Sequence, residues 1–234
     1  MDLDDAYAVQ DAWLSLRSRG THRTGAKIGL TSRAMQAALG IDSPDSGLLF
    51  ADMEVPDGGK IPPGRFIQPR VEAEIAFILA EPLGETPVSD AQAMDAVAWI
   101  RPCLEILDTR ILRADPATGA PRTVVDTVSD NAANAGYVLG GGLFRPETVD
   151  LPRAGAALLR DGEVEETGLA AGVLGHPIRA LTWLANQMHA RGRALEAGWV
   201  VLSGSFIRPV ECPPGTTITA DFGPLGTVSC HFQR

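Results

Sequence analysis

Basic residues and long apolar runs are scarce in this chain, and each shortage excludes a class of protein. Twenty Lys and Arg residues stand against 29 Asp and Glu, which gives a formal net charge of -9 at pH 7. Nucleic-acid binding and docking on anionic membranes both need clustered positive charge, so neither is expected. No apolar run approaches the roughly 18 residues that a membrane-spanning helix requires. The chain is therefore predicted to have no nucleic-acid partner and no membrane partner.

Cysteine is also rare, and this shortage bears on the compartment of the protein. The three cysteines, Cys103, Cys212 and Cys230, are widely spaced and form no C-x-x-C motif. A disulfide framework or a thiolate zinc site is therefore not expected. The N-terminal stretch MDLDDAYAVQ is acidic, whereas a targeting peptide is basic. Together these features predict a reducing, cytoplasmic location.

Apolar residues are abundant enough for a sizeable core. They make up 45% of the 234 residues, against 21% charged residues, as in one large globular domain or a core with a small appendage. Apolar residues at helical spacing predict helices over residues 3–19 and 177–191, whereas short strands separated by Gly and Pro fill most of the second half. Because regular βαβ alternation is missing, the pattern predicts an α+β fold with a mixed, largely antiparallel, rolled sheet and surrounding helices.

One further helix is predicted from a local signal. Ser89 and Gln92 have the spacing of a capping box, and Met94, Val97 and Ile100 follow on one helical face. Pro102 is expected to end this helix, and residues 103–110 are then predicted to form a strand.

Three glutamates have the pattern of a metal site. Glu72 and Glu74 alternate with apolar residues in a predicted strand over 65–79, so both side chains project from one face. Glu105 interrupts the apolar run of the strand that begins at Cys103. Converging carboxylates repel one another unless a cation lies between them, and an all-oxygen set favours Mg²⁺ or Mn²⁺. The alternative is an ordinary solvated E-x-E on an edge strand.

Other polar residues admit both a structural and a functional interpretation. Lys27 lies in a predicted strand and either extends to the surface or acts from a partly buried position beside an anion. Asp45 lies in a turn-rich segment, where aspartate is commonly structural. The segment 125–136, VDTVSDNAANAG, either caps a short helix or lines a polar pocket.

Several blocks in order along the chain are similar to one known family. They are GAKIGLTSRAMQAALGI, SPDSGLLFADM, FIQPRVEAEIAFIL, PCLEILDTR, VDTVSDNAANAG and GVLGHP. Together they cover nearly the whole chain and resemble the hydratase/decarboxylase branch of the fumarylacetoacetate hydrolase superfamily. The resemblance implies a mixed β-roll with surrounding helices. It also implies a single functional unit, with residues 1–60 as an N-terminal helical or lid portion and residues 61–234 as the catalytic roll.

The resemblance also implies roles for particular residues. It implies that the three glutamates hold Mg²⁺ or Mn²⁺ and that Lys27 and Asp45 form the catalytic centre. The remaining residues are expected to bind substrate, and they are Gly29, Leu30, Thr31, Ser129, Asp130, Asn131, Gly204 and Ser205. Arg208 is predicted to receive a second substrate carboxylate, because a guanidinium binds a carboxylate bidentately; the alternative is a surface arginine.

Three motifs are similar to members of the branch that act on a seven-carbon dioic substrate, namely DPATGAPR, EETGLAAGVL and LSGSFIRPV. The implied activity is addition of water to 2-oxohept-4-ene-1,7-dioate, giving 4-hydroxy-2-oxoheptanedioate in the homoprotocatechuate pathway of aromatic catabolism. The alternatives are decarboxylation of 2-oxo-3-hexenedioate, hydration of 2-keto-4-pentenoate, C–C bond hydrolysis, and a non-catalytic partner subunit.

Two departures from the family pattern are expected to matter. Family members usually carry a further N-terminal helical segment, so some oligomer contacts or pocket cover are expected to be missing. Ser43 stands where close relatives often have Glu in an E-P-D motif, which changes the expected surroundings of Asp45. The resemblance still implies a homo-oligomer, a dimer or larger.

Overall fold

The computed structural model describes residues 1–39 and 41–234. Within them the helices are α1 to α5 in chain order: Leu3–Arg17, Arg33–Leu39, Asp90–Asp95, Val124–Ser129 and Pro177–Ala190. The strands are β1 to β13 in chain order: Arg23–Gly29, Asp45–Phe50, Glu54–Val55, Gly59–Ile61, Arg70–Leu79, Val97–Leu107, Asn134–Leu139, Gly155–Arg160, Glu163–Leu169, Val200–Leu202, Val210–Glu211, Thr217–Asp221 and Thr227–Phe232. The sequence predicts that α2 ends at Gly40, which lies outside the described residues.

The strands form two mixed sheets, which confirms the predicted α+β class. The larger sheet has the order β2-β1-β10-β5-β6-β7-β3, with β11 added beside β5. The smaller sheet has the order β4-β13-β12-β8-β9. Most neighbours are antiparallel, but β1 with β10, β3 with β7 and β4 with β13 are parallel. The buried apolar residues of both sheets form one hydrophobic cluster.

The long hairpin of β5 and β6 lies inside the larger sheet. Its two strands are paired along nearly their whole length, with Arg70 opposite Leu107 at one end and Leu79 opposite Val97 at the other. Both strands are mostly buried, because β10 and β7 cover their outer edges and α3 and β13 pack against β6. A charged side chain here is therefore in an environment where charge is costly unless it is paired.

The prediction of one helix from Ser89 to Ile100 is correct for its first turns and wrong from Val97 onward. The Ser89–Gln92 capping box is present, but α3 ends at Asp95 and β6 begins at Val97. Pairing with β5 outweighs the helical spacing of the apolar residues. Pro102 lies inside β6, and its carbonyl accepts from Gly140 N at 2.9 Å. Because the N and C=O of one residue point to the same side of an antiparallel strand, the Pro102 nitrogen also points toward Gly140, just past the end of β7. The N–H that proline lacks is therefore missing at the end of the β6–β7 ladder, where its loss is tolerated.

The strands of the first 60 residues belong to the same two sheets as the strands of the rest of the chain. The strands β1 and β2 pair with each other, and β1 also pairs with β10 near the other end of the chain. The expected boundary at residue 60 falls within β4, which pairs with β13. Among the described residues, no helix has both the length and the apolar character needed to cross a membrane.

Candidate active site

Three carboxylates meet on one face of the β5–β6 hairpin. Glu72 lies directly opposite Glu105 in the antiparallel register, and Glu74 follows two residues after Glu72 on the same face of β5. One oxygen of each carboxylate lies within 4.8 Å of the corresponding oxygens of the other two. Glu74 and Glu105 are fully buried, whereas Glu72 is partly exposed. The convergence predicted from the sequence is confirmed.

Each of the two buried glutamates uses one oxygen for the protein and leaves the other free. Glu74 Oε2 accepts from Gly204 N at 2.7 Å, and Glu105 Oε1 accepts from Asn134 Nδ2 at 2.6 Å. The other oxygens, Glu74 Oε1 and Glu105 Oε2, are buried without a hydrogen-bond partner among the described residues. Buried polar atoms nearly always have partners, so these oxygens are the atoms expected to ligate an ion. An all-oxygen donor set fits Mg²⁺ or Mn²⁺.

The charge balance of the buried group points the same way. Burial and the negative charge of Glu105 raise the pKa of Glu72 to about 8 and raise the pKa of Glu74 well above its usual range. With every group ionised, one ammonium of Lys27 faces four carboxylates, including Asp45, and three negative charges remain in excess. A divalent cation would reduce that excess to one, and the carboxylates would then ionise at neutral pH.

A lysine and an aspartate flank the carboxylates. Lys27 on β1 and Asp45 on β2 are 3% and 4% exposed, and their Nζ and Oδ1 atoms are 4.0 Å apart. Lys27 Nζ is also 3.4 Å from Glu105 Oε1. Burial alone would lower the pKa of Lys27, but the negative charges of Glu105 and Asp45 outweigh burial and raise it, so the amine is protonated. Burial raises the pKa of Asp45, against the opposing effect of Lys27.

Lys27 and Asp45 are packed so closely that only a glycine fits beside them, at position 29. Gly29 lies opposite Asp45 in the β1–β2 register. A Cβ on Gly29 would lie 2.2 Å from Asp45 Oδ1 and 3.0 Å from Lys27 Nζ. The sequence therefore needs Gly29 in order to bring the carboxylate against the strand that carries the lysine.

The segment after β1 meets the segment after β10. Leu30 has a φ of 55°, which turns the chain sharply, and Thr31 is 2% exposed. Gly204 has a φ of 96°, and a Cβ there would lie 2.5 Å from Thr31 Oγ1. Because the N–H of Gly204 donates to Glu74, this contact joins the predicted substrate-binding segments directly to the carboxylates. The Oγ of Ser205 donates to Ile207 O at 2.8 Å and holds the turn.

The predicted residues 129–131 differ in what their side chains can still bind. The amide of Asn131 is fully used, since Nδ2 donates to Leu48 O at 3.0 Å and Oδ1 accepts from Leu48 N at 2.8 Å. Asp130 accepts from the backbone and guanidinium of Arg110. The Oγ of Ser129 is buried without a hydrogen-bond partner among the described residues. Of the three, Ser129 thus retains a polar atom that a ligand could satisfy.

Arg208 is not part of this buried group. Its side chain is 81% exposed and forms an ion pair with Glu166 at 2.5 Å. By contrast, sequence reasoning did not identify Asn134 as the partner of Glu105. Asn134 begins β7, but only the pairing of β7 with β6 brings its amide to that carboxylate, and no local signal reports such a contact.

A cavity of about 360 Å³ has Asp45 in its wall. It lies between α1, residues 41–45, α4 and α5, and Tyr7, Ser43 and Val124 are part of its wall. The hydroxyl of Tyr7 accepts from Ser46 N at 3.1 Å, next to Asp45. Ser43 therefore lies in the wall of a space that reaches Asp45.

Comparisons with known proteins agree with this geometry. Residues 41–233 match the family model described as fumarylacetoacetate (FAA) hydrolase C-terminal. The chain is 47% identical over 231 residues to the 2-oxo-hept-4-ene-1,7-dioate hydratase of Escherichia coli, covering 98% of this chain and 86% of that protein. It is 41% identical to 2-keto-4-pentenoate hydratase 1 of Dechloromonas aromatica, covering 99% of this chain and 86% of the relative.

Among solved structures, the chain is similar to the 4-oxalocrotonate decarboxylase of Pseudomonas putida G7 complexed with magnesium and adipate. The TM-score is 0.91 at 33% identity, and the match covers 99% of this chain and 86% of the decarboxylase. The same enzyme was also solved with calcium and acetate, at a TM-score of 0.90. With its carboxylate hairpin, its Lys–Asp pair and these matches along nearly its whole length, the chain belongs to the fumarylacetoacetate hydrolase family.

Proposed function

We propose that this protein is a divalent-metal-dependent hydratase that adds water to 2-oxohept-4-ene-1,7-dioate and forms 4-hydroxy-2-oxoheptanedioate. The observation that carries the proposal is the buried group in which a protonated Lys27 lies between Asp45 and the carboxylate hairpin, where two carboxylate oxygens have no hydrogen-bond partner among the described residues. The similarity to a hydratase of this name, at 47% identity, supports the choice of substrate.

The proposed cofactor is Mg²⁺ or Mn²⁺, held by Glu72, Glu74 and Glu105. When bound, such an ion acts as a Lewis acid toward the carboxylate and keto oxygens of a 2-oxo acid. The protein supplies the ligand oxygens on two strands of one hairpin, whose pairing fixes their spacing. Gly204 N and Asn134 Nδ2 orient two of the carboxylates from outside the cluster.

Lys27 and Asp45 are proposed to move the protons. The double bond of 2-oxohept-4-ene-1,7-dioate must first move into conjugation with the keto group, which takes a proton from C3 and returns one to C5. Water then adds its hydroxyl to C4 and a proton to C3, so the reaction needs one group that takes a proton and one that gives a proton. Lys27 is protonated and buried, which suits the donor. Asp45 has a raised pKa, which brings a carboxylate closer to the working range of a general base.

The segments around the pair are proposed to hold the substrate. In this proposal the backbone of Gly29 and Leu30 and the hydroxyl of Thr31 bind the carboxylate next to the keto group. Ser129, whose hydroxyl has no hydrogen-bond partner among the described residues, and Gly204 and Ser205, which follow β10 beside Thr31, are proposed to bind the rest of the substrate. Asp130 and Asn131 are proposed to position this segment, because their side chains bond to Arg110 and to the backbone of Leu48.

Decarboxylation of a 2-oxo-enedioate is the second candidate, because the similar decarboxylase structure has a TM-score of 0.91. One experiment separates the two. The enzymatically generated dienol of each substrate is supplied with Mg²⁺ and then with EDTA, and the product mass is followed. Gain of water supports the hydratase, whereas loss of carbon dioxide supports the decarboxylase. A rate that EDTA leaves unchanged would overturn the assignment of the carboxylates. Glu147→Gln, an exposed acid away from the site, is the matched control.

The cytoplasmic location, the homo-oligomeric state and a place in aromatic catabolism are part of the same proposal. Size-exclusion chromatography with light scattering tests the oligomeric state, and a mass of one chain would contradict it.

A further inference from the structure

Two arginines stand at the open end of the carboxylate hairpin. Arg70 is the first residue of β5 and lies two residues before Glu72, so both side chains project from the same face of the strand. Arg122 ends the loop that follows β6, and its N–H donates to Arg113 O at 2.9 Å. Arg122 also immediately precedes Thr123, the capping residue of α4, and α4 ends at Ser129.

Neither arginine lies within ion-pair distance of a carboxylate among the described residues, although the charge of Arg70 also acts on Glu72. Within the described residues, no ion pair involves Arg70 or Arg122, and Nη1 of Arg122 is buried without a hydrogen-bond partner. The two acids whose charges act on Arg122 already have other partners. Asp126 accepts from the N–H and hydroxyl of Thr123, and Asp130 accepts from Arg110.

The positive charge of these arginines reaches the catalytic centre. Burial and the nearby charge of Arg70 both lower the pKa of Arg122, as expected for two guanidiniums that share a partly desolvated space. Arg122 in turn is one of the groups that lower the pKa of Asp45. Two like charges at such a site are favourable only when an anion lies between them, which is the counterpart of the argument for a cation among the glutamates.

We propose that Arg122, with Arg70 beside it, binds the substrate carboxylate that is farther from the metal site and so selects dicarboxylic over monocarboxylic 2-oxo-enoates. This inference rests on the proposed function and gives the role predicted for Arg208 to a different residue. Arg122 is half-buried, forms no ion pair among the described residues and lies close enough for its charge to act on Asp45, whereas Arg208 is exposed and already bonded to Glu166.

Binding is measured first, because it does not depend on turnover. Heptanedioate and heptanoate are titrated into the Mg²⁺-loaded protein by calorimetry. Loss of a charge-assisted hydrogen bond costs about 10- to 100-fold in affinity, so Arg122→Gln is expected to weaken heptanedioate by that factor and heptanoate by less than about threefold. Arg122→Lys keeps the charge without the bidentate geometry, so its affinity for heptanedioate is expected to lie between that of the wild-type protein and that of Arg122→Gln. Arg153→Gln, whose side chain is 85% exposed, is the matched control.

Kinetics then separate this proposal from the proposed function. Arg122→Gln is expected to lower kcat/KM for the seven-carbon dioic substrate by about 10- to 100-fold more than for the five-carbon monoacid. Equal losses on both substrates, or a selective loss in Arg208→Gln but not in Arg122→Gln, would overturn the proposal. If the wild-type protein hydrates neither substrate yet still prefers heptanedioate through Arg122, the proposed function fails and the dicarboxylate site stands.

Discussion

Metal binding at the carboxylate hairpin is expected to be coupled to proton release. In the metal-free protein the pKa of Glu72 is raised to about 8 by burial and by the charge of Glu105. One pH unit below that value roughly nine in ten Glu72 carboxyls carry a proton, and a ligand to Mg²⁺ must lose it. The apparent affinity for Mg²⁺ should therefore rise about tenfold per pH unit between pH 6 and 8 and level off above, with about one proton released per ion at pH 7.

The direct assay is calorimetric titration of Mg²⁺ into EDTA-treated protein, in two buffers of different ionisation enthalpy at each pH. The difference between the buffers gives the number of protons released. The pKa of Glu74 is also raised well above its usual range. Release of more than one proton per ion, with a rise in Mg²⁺ affinity of more than tenfold per pH unit, is therefore compatible with the reasoning. An affinity that does not change from pH 6 to 9, with no proton release, would refute it.

The same shift has a consequence for stability, and its sign follows from linkage. A carboxyl whose folded-state pKa is above its unfolded value stabilises the folded state below about pH 4, and this contribution is lost as the pH rises through about 8. The metal-free protein should thus lose thermal stability between these values, and the increase in Tm on adding Mg²⁺ should grow over the same range. A Tm increase that is equal at pH 5.5 and pH 8 would contradict the assignment.

Two further changes test how Asp45 and Glu105 are positioned. Gly29→Ala places a Cβ 2.2 Å from Asp45 Oδ1, so the carboxylate must move, and kcat/KM should fall by about 100-fold with little change in circular dichroism. Gly141→Ala, where the added Cβ meets no atom within 4 Å, is the control, and an equal loss there would refute the argument. Asn134→Ala removes the donor to Glu105 and should weaken Mg²⁺ binding by about 10- to 100-fold in a calorimetric titration, and unchanged affinity would show that the amide does not orient the ligand.

Some features of the site follow from local sequence alone. The period-two alternation around Glu72 and Glu74 places both carboxylates on one face wherever the strand lies. The capping box at Ser89 is likewise a local signal, and the structure contains it. The extent of the helix after Ser89 could not be predicted, because pairing with β5 rather than local spacing decides the conformation of Val97 onward.

The sequence by itself determined the residue types of the site, the strand that carries two of its carboxylates and the family resemblance, because these depend on short-range spacing and composition. The tertiary structure decided which groups meet. The register of β5 and β6 places Glu105 opposite Glu72, and the pairing of β6 with β7 brings Asn134 to Glu105. Packing also leaves Arg208 exposed and Arg122 half-buried. Such contacts join residues far apart in the chain, and their geometry depends on the packing of the whole core.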